Sequence, residues 1–390
     1  MQTYLVGGAV RDTLLNRRVV ERDYVVVGAT VEEMLAKGYT QVGKDFPVFL
    51  HPKTADEYAL ARTERKSGKG YTGFICNASP TVTLEEDLKR RDLTVNAIAQ
   101  HPDGTLIDPY GGQQDIANKV LRHVSEAFSE DPLRVFRVAR FATRYHYLQF
   151  TIAPETIALM QQMAQSGELK ALSPERVWQE TKRSLLENSP AVFVEVLRDI
   201  HGLNDWFGEL ITSQASLNDA IEALTHTHTD KESSTPYKIK TPEQLLCIRF
   251  SALCSGLSAP QTRALCQRLR VPNSVSDVAQ LVSQHKDTLL SEALFKADTL
   301  LTLFNQADAW RRPERFDLVL AAMTPLAQIN HVAWPARNAL IVECLEAANR
   351  VNPQEIIARG VKGPEIRTAL NKAKYENIAA VISNTNINAL

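Results

Sequence analysis

The feature that most restricts the fold is a change of hydrophobic period partway along the chain. Short β-branched and apolar runs stopped by glycine crowd the first ~110 residues, and helix-length spacing follows almost without interruption from about Asp115 onward. Tyr4-Leu5-Val6 runs into Gly7-Gly8, and Ala9 to Leu15 then predicts a short helix. Tyr24 to Val27 is a second strand run, ended by Gly28. Thr30 predicts the N-cap of a helix reaching Lys37, with Glu32 and Glu33 suited to its positive end. Thr40 to Val42, Val48 to His51, Tyr58 to Ala61 and Leu106 to Ile107 predict further strands. Arg62 to Phe74, rich in Gly, Lys and Arg, predicts an exposed mobile loop. Beyond these, Pro132 to Tyr145, Pro154 to Gln165, Pro174 to Leu186 and Ala191 to Arg198 predict helices. Several open on proline, whose missing N–H costs nothing in a first turn. Thr225 to Lys240 is polar and predicts a linker. The expectation is an α/β head followed by an all-helical remainder.

A length of 390 residues exceeds what one core usually organises, so two or more domains are expected. Apolar residues at 44% and charged residues at 23% exclude collagen-like, disordered and disulfide-scaffold chains. Lys plus Arg total 44 against 45 Asp plus Glu, which excludes a bulk polycation but leaves room for a local basic groove. Cys76, Cys247, Cys254, Cys266 and Cys344 are odd in number and lack CxxC spacing. They read as free thiols of a reducing compartment, so a cytoplasmic location is expected. The first residues lack a basic and long apolar leader, and no run approaches the ~18 apolar residues of a membrane span.

Four segments carry chemistry. In Leu5 to Asp12, a strand entering paired glycines and then a helix lets backbone N–H groups approach a phosphate, with Arg11 one turn on; an ordinary tight turn accounts for the same residues. Glu21-Arg22-Asp23 precedes the second strand run, and extended backbone turns residues i and i+2 to one side. Two such carboxylates can hold Mg²⁺, which completes its shell with water and phosphate oxygens; a solvated strand end is the plainer alternative. Lys89-Arg90-Arg91-Asp92, before an apolar run, fits a phosphate contact or simply charged surface. In Glu130 to Arg140, Asp131 falls near an N-cap, and Arg134, Arg137 and Arg140 recur every three residues along one slanting ridge. That ridge has no packing explanation from sequence and calls for an anionic or planar hydrogen-bonding ligand, unless Arg–Glu pairs occupy it. An Asp–Arg pair also matches the edge of a nucleic-acid base.

Taken together and in order, LVGGAVRD (5–12), ERDYVVVG (21–28), RRDLTVNA (90–97), EDPLRVFRVARF (130–141) and SPERVWQE (173–180) resemble the class II tRNA nucleotidyltransferases, specifically the bacterial CCA-adding enzymes of the polymerase-β-like superfamily. The resemblance is close over about the first 200 residues. It weakens toward a tail-like segment at Arg359 to Ile366. It implies an α+β fold: a nucleotidyltransferase head with a small mixed sheet and flanking helices over 1–128, a base-recognising helical neck over 129–224, a linker over 225–240, and a helical body and tail over 241–390. It also implies template-independent addition of C, C and A to the 3′ end of tRNA from CTP and ATP, with Mg²⁺.

By the same resemblance, Glu21 and Asp23 would hold the catalytic metal, and Glu57 would assist. Gly8, Arg11, Arg91, Arg137 and Arg140 would bind the nucleotide, mainly through its triphosphate. Asp131 and Arg134 would present the edge that accepts cytosine or adenine. Lys66 to Gly73 would form the loop that helps switch from C to A. The helical remainder would hold the acceptor and TΨC arms by shape and backbone charge. The sequence leaves the oligomeric state open.

The chain departs from the family pattern twice. Glu21 stands where the first metal ligand is usually Asp, moving the oxygen by about one methylene at unchanged charge. Leu253-Cys254-Ser255-Gly256-Leu257-Ser258 stands where proteobacterial relatives often carry an HD phosphohydrolase motif. Ser255 and Gly256 lack the ligating groups of His and Asp, so no phosphohydrolase activity is expected. The competing readings are a poly(A) polymerase, an enzyme adding only CC or only A, and a non-catalytic tRNA-binding relative. Against the first stand the acid in Gly43-Lys44-Asp45-Phe46 and a segment from Ile378 to Leu390 without Lys or Arg.

Overall fold

The computed structural model describes residues 1–42, 47–66, 74–227, 237, 239–291 and 293–385. The chain divides into two compact units, one of Met1–Ser184 with Val192–Asp205, the other of Leu185–Ala191 with Trp206–Leu390.

In the first unit, β1 (Gln2–Val6) passes through Gly7 into α1 (Gly8–Leu14), and β2 (Asp23–Val27) returns antiparallel to β1. The helix α2 (Val31–Ala36) starts at Thr30, whose side chain accepts from the Glu33 N–H while Glu33 reaches back to the Thr30 N–H. This reciprocal cap bears out the N-cap read from sequence. Strands β3 (Thr40–Gln41), β4 (Val48–Leu50) and β5 (Glu57–Leu60) follow, with β5 parallel to β2. The segment read as a loop contributes a hairpin instead: β6 (Thr63–Lys66) pairs antiparallel with β7 (Phe74–Asn77). The heart of the expected C-to-A loop, 67–73, lies outside the described residues, as does the 43–46 segment weighed against poly(A) polymerases. Next come α3 (Leu84–Lys89), β8 (Ala99–Gln100), β9 (Leu106–Ile107) and α4 (Gly112–Asn118).

The main sheet has the order β3-β4-β5-β2-β1-β8-β9 and is mixed, as a small head sheet should be. Its two faces are covered separately. Val6, Val25, Leu88 and Ala97 pack in one cluster and Val26, Met34, Phe49 and Leu60 in the other, so neighbouring residues of β2 serve opposite cores. The helical part of this unit holds α5 (Leu133–Tyr145), α6 (Pro154–Gln165), α7 (Pro174–Leu185) and α8 (Ala191–Asp199), with α7 and α8 each crossing a unit boundary. The short strands β10 (Val120–Leu121) and β11 (Thr151–Ile152) pair in parallel beside α5, interrupting the expected run of helices.

The second unit is helical: α9 (Gln214–Thr225), α10 (Pro242–Leu253), α11 (Ala259–Leu269), α12 (Asn273–Leu290), α13 (Ala297–Gln306), α14 (Pro313–Ile329), α15 (Trp334–Asn349), α16 (Pro353–Ala358) and α17 (Glu365–Asn384). The segment read as a linker is anchored at both ends. Thr227 is buried, and the Tyr237 hydroxyl donates to Asn338 Oδ1 at 3.0 Å. The Leu253 to Ser258 stretch, which the resemblance sets against the HD motif of relatives, is packed shut: Cys254 and Ser255 are buried, and the Lys286 ammonium donates to the Ser255 and Leu257 carbonyls. A carbon added at Gly256 would lie 2.4 Å from Ser216 Cα.

Candidate active site

The β1–α1 turn depends on Gly7 twice over. Its φ of +68° is left-handed, and an added Cβ would come within 2.9 Å of Arg91 Nη1. Glycine here lets the Arg91 guanidinium lie against the main chain at the start of α1. The register of β1 with β2 sets Asp23 opposite Val6, at the glycine end of the sheet. The parallel pairing of β2 with β5 sets Glu57 opposite Asp23. Although Asp23 keeps solvent access, the protein packed around it and then the Glu57 charge raise its carboxyl pKa, with Arg91 opposing and Glu21 adding to the rise.

The strand argument for Glu21 needs correcting. The strand β2 begins at Asp23, so Glu21 and Arg22 lie in irregular backbone and alternation does not set their direction. Glu21 joins the group through its charge, not through a shared strand face.

Among the described residues no three His, Cys, Asp or Glu side chains converge into a closed metal cage. An open site fits better: hard oxygen donors that repel one another, beside a turn able to receive phosphate. Mg²⁺ suits such a site, because it takes one or two carboxylates and fills its octahedron with water and substrate oxygens.

Around this group Asn96 and Asp92 form a buried hub for Arg11 and for the half-buried Arg91 and Arg137, while Glu180 receives Arg140. Arg11 is buried, donating from Nε to Asp12 at 3.0 Å and from Nη1 to Asn96 Oδ1, with its guanidinium 5.2 Å from the Tyr145 ring centroid. Arg91 donates to the Asn96 carbonyl at 3.3 Å and to Asp87 at 3.3 Å, and its buried Nε has no acceptor. Burial depresses the Arg91 pKa, with Asp87 opposing. Asn96 Nδ2 donates to Asp92 Oδ1 at 2.9 Å, and Arg137 donates from Nε to Asp92 Oδ2 at 2.8 Å. Burial would raise the Asp92 carboxyl, but Arg137 and the Asn96 hydrogen bond hold it well below the usual range. Arg140 donates to Glu180 Oε2 at 2.5 Å on α7 and lies 4.3 Å from the Phe141 ring centroid.

The arginine ridge therefore does have a packing explanation, contrary to the sequence reading. Arg134 and Arg140 are buried, and Asp92 and Glu180 receive Arg137 and Arg140. Arg134 donates to the carbonyls of Ala127 and Arg90, each at 2.6 Å. Both acceptor residues line a cavity of about 620 Å³ bordered by Glu64, Asn77 and Glu130. The helix α5 starts one residue later than read, with Pro132 at the N-cap. Asp131 just before it accepts from the Leu133 N–H at 3.1 Å and from Arg176 at 2.8 Å. Gly8 stands beside Arg11, where an added Cβ would lie 3.4 Å from Nη2.

Arg91 thus touches the glycine turn and the Asn96 hub and acts on Asp23. Through Asn96 and Asp92 the carboxylate end of the sheet is joined to Arg137 on α5. Asn96, Asp92, Glu180 and Arg176 were not singled out from sequence, although each falls inside a motif quoted above. Asp92, directly after Arg90-Arg91, carried a local signal, whereas Asn96 Oδ1 and Glu180 meet Arg11 and Arg140 from 85 and 40 residues away.

Comparison with known proteins decides the family. The chain is 61% identical to the CCA-adding enzyme of Alteromonas mediterranea over 396 aligned positions, covering 98% of this chain and 100% of that one. The chain belongs to the CCA-adding enzymes. Membership makes it a tRNA nucleotidyltransferase, in a class that uses divalent metal ions. Residues 3–122 match the family described as the Poly A polymerase head domain. Residues 149–211 match the one described as a probable RNA and SrmB-binding site of polymerase A. In fold, the chain resembles a CCA-adding enzyme solved in complex with CTP, at a TM-score of 0.69 and 20% identity over 97% of this chain and 87% of that one. It also resembles one solved with ATP, at a TM-score of 0.69 and 19% identity over 99% and 87%. No helix among the described residues is long and apolar enough to cross a membrane.

Proposed function

We propose that this chain adds C, C and A in turn to the 3′ end of tRNA from CTP and ATP, releasing pyrophosphate, in the cytoplasm. The observation that carries the assignment of the centre is the meeting of Asp23, Glu57 and the Glu21 charge at the Gly7-Gly8 turn, with Arg91 against that turn. Glu21 and Asp23 would hold Mg²⁺. Once bound, the ion would neutralise charge on the attacking and leaving oxygens as the tRNA 3′-hydroxyl displaces pyrophosphate from the α-phosphate.

The rest of the work falls to positioning. Gly8 keeps the turn open, and Arg11, Arg91, Arg137 and Arg140 face the triphosphate with donors beyond those already committed to Asp12, Asn96, Asp87, Asp92 and Glu180. Asp131 and Arg134 offer an acceptor and a donor to the base, braced by Arg176 and by the Ala127 and Arg90 carbonyls. On this reading 1–128 carries the chemistry, 129–224 reads the base, 225–240 is the connecting segment, and 241–390 holds the acceptor and TΨC arms.

The test uses a tRNA transcript lacking its last three nucleotides, with labelled CTP and ATP given separately and together. Full CCA addition extends it by two nucleotides with CTP alone and by three with both. A poly(A) polymerase would give a long ladder with ATP alone. An enzyme adding only CC would stop at two with both nucleotides. One adding only A would extend a transcript ending in CC but not this one, and a non-catalytic relative would extend none.

A further inference from the structure

One exposed aromatic group in the first unit stands apart from the nucleotide network. Tyr147, in the turn after α5, is 49% exposed. Its hydroxyl accepts from Arg17 Nη1, and the Arg17 guanidinium lies 5.5 Å from the Tyr147 ring centroid and 5.3 Å from that of buried Tyr145. Arg17 is fixed at the end of α1, where its N–H donates to the Asp12 carbonyl at 2.7 Å. Among the described residues no ion pair joins the Arg17 guanidinium to a carboxylate. Arg18, next in the chain, is exposed, as is Val20 at 81%. The result is a ring held in place by Arg17, with the exposed Arg18 next to Arg17 in the chain, and both arginines lie on the loop that leads into Glu21.

That loop is short. Four peptide steps from Arg17 to Glu21 span at most ~14 Å, about four base steps at a stacking rise of roughly 3.4 Å. Proteins hold single-stranded nucleic acid with an exposed aromatic face for the base and cations for the phosphates. We propose that Tyr147, held by Arg17, is a stacking platform for a base of the unpaired 3′ strand of the tRNA, a few nucleotides before the reacting hydroxyl, with Arg17 and Arg18 meeting the adjoining phosphates. The inference rests on the functional reading above and names a primer-binding residue for it. A held ring suits repeated addition, because every base offers a π-face and the contact survives as the strand lengthens.

The experiment uses the full chain and a tRNA transcript ending at its last nucleotide before CCA, with 2-aminopurine at that position. Fluorescence is read on binding without nucleotide, and steady-state CTP incorporation is measured on the same preparations. Tyr147→Ala should abolish the stacking quench and raise KM for tRNA ~10-fold, leaving KM for CTP unchanged. Tyr147→Phe and Tyr147→Trp should keep the quench, since each retains a ring. Undiminished quench and unchanged tRNA KM in Tyr147→Ala would overturn the platform, as would Tyr147→Phe behaving like Tyr147→Ala. Absence of CTP incorporation by the unaltered chain would instead overturn the functional reading, an outcome distinct from either.

Discussion

Arg137 holds one oxygen of Asp92 through a hydrogen bond from Nε at 2.8 Å and an ion-pair contact from Nη2 at 2.7 Å, across a sequence separation of 45 residues. The contact ties α5, which carries the arginine ridge, to the turn after α3. The other oxygen of Asp92 takes Asn96 and the Leu93 N–H, so the carboxylate is surrounded by donors.

Stability should depend on pH through this carboxylate. Its folded pKa is depressed by Arg137 and Asn96 against burial, while an unfolded Asp titrates near ~3.9. Its contribution is therefore fully present above about pH 4 and fades as pH falls through the lower folded value. In Asp92→Asn the loss should approach the low end of the ~3–5 kcal/mol expected for breaking a buried pair, because the Arg137 side chain is 33% exposed. Thermal melts of both proteins from pH 7 to pH 2.5 should show a constant gap down to about pH 4 and a narrowing one below.

The carboxylates at the head of β2 should divide by geometry. Asp23→Ala and Glu21→Ala should each lower CTP incorporation by ~100-fold or more, the scale of losing a main electrostatic stabiliser of the transition state. Glu21→Asp keeps the charge and restores the shorter family ligand, so it should stay within ~10-fold of the parent. Single-turnover rates across a Mg²⁺ titration check this. Full activity in both alanine variants would remove the metal assignment.

Arg134→Ala should damage nucleotide choice more than turnover. A bidentate side-chain contact to a base is worth ~1–3 kcal/mol of discrimination, so preference for CTP over UTP should fall by roughly 5- to 150-fold. The Ala127 and Arg90 carbonyls also lose their donor, so a modest drop in melting temperature should accompany it. Competition assays with all four nucleotides decide the point. Equal loss for every nucleotide would argue against base reading.

Gly256→Asp should not rebuild a phosphohydrolase. Any Cβ at 256 lies 2.4 Å from Ser216 Cα and 2.6 Å from its carbonyl oxygen, so the helices must shift, at a cost of about 1–3 kcal/mol. Neither the parent nor Ser255→His with Gly256→Asp should release phosphate from nucleotide monophosphates with Ni²⁺ or Co²⁺, and the double variant should melt lower. Metal-stimulated release by the purified parent would count against the reading of this segment.

How far the sequence could be read depended on the distance between partners. The β1–glycine–α1 turn, the Thr30 cap and the helices opening on proline are local, decided by residues within one turn of each other. The β6–β7 hairpin escaped because Thr63-Glu64-Arg65-Lys66 carries no apolar alternation, and its pairing is made by main-chain hydrogen bonds to Phe74–Asn77. The arginine ridge was seen but its surroundings were not. Glu180 meets Arg140 from 40 residues away and Asp92 meets Arg137 from 45, separations that no local pattern encodes. Alternation was extended to Glu21 because extended backbone was assumed two residues too early.

The close fit of Gly256 against Ser216 also bears on history. A chain packed this tightly at that spot cannot gain a carboxylate there by one codon change without first opening the packing, which by itself brings no benefit. Such an arrangement works as a ratchet: a side chain at this position needs room that only a rearrangement of the neighbouring backbone supplies.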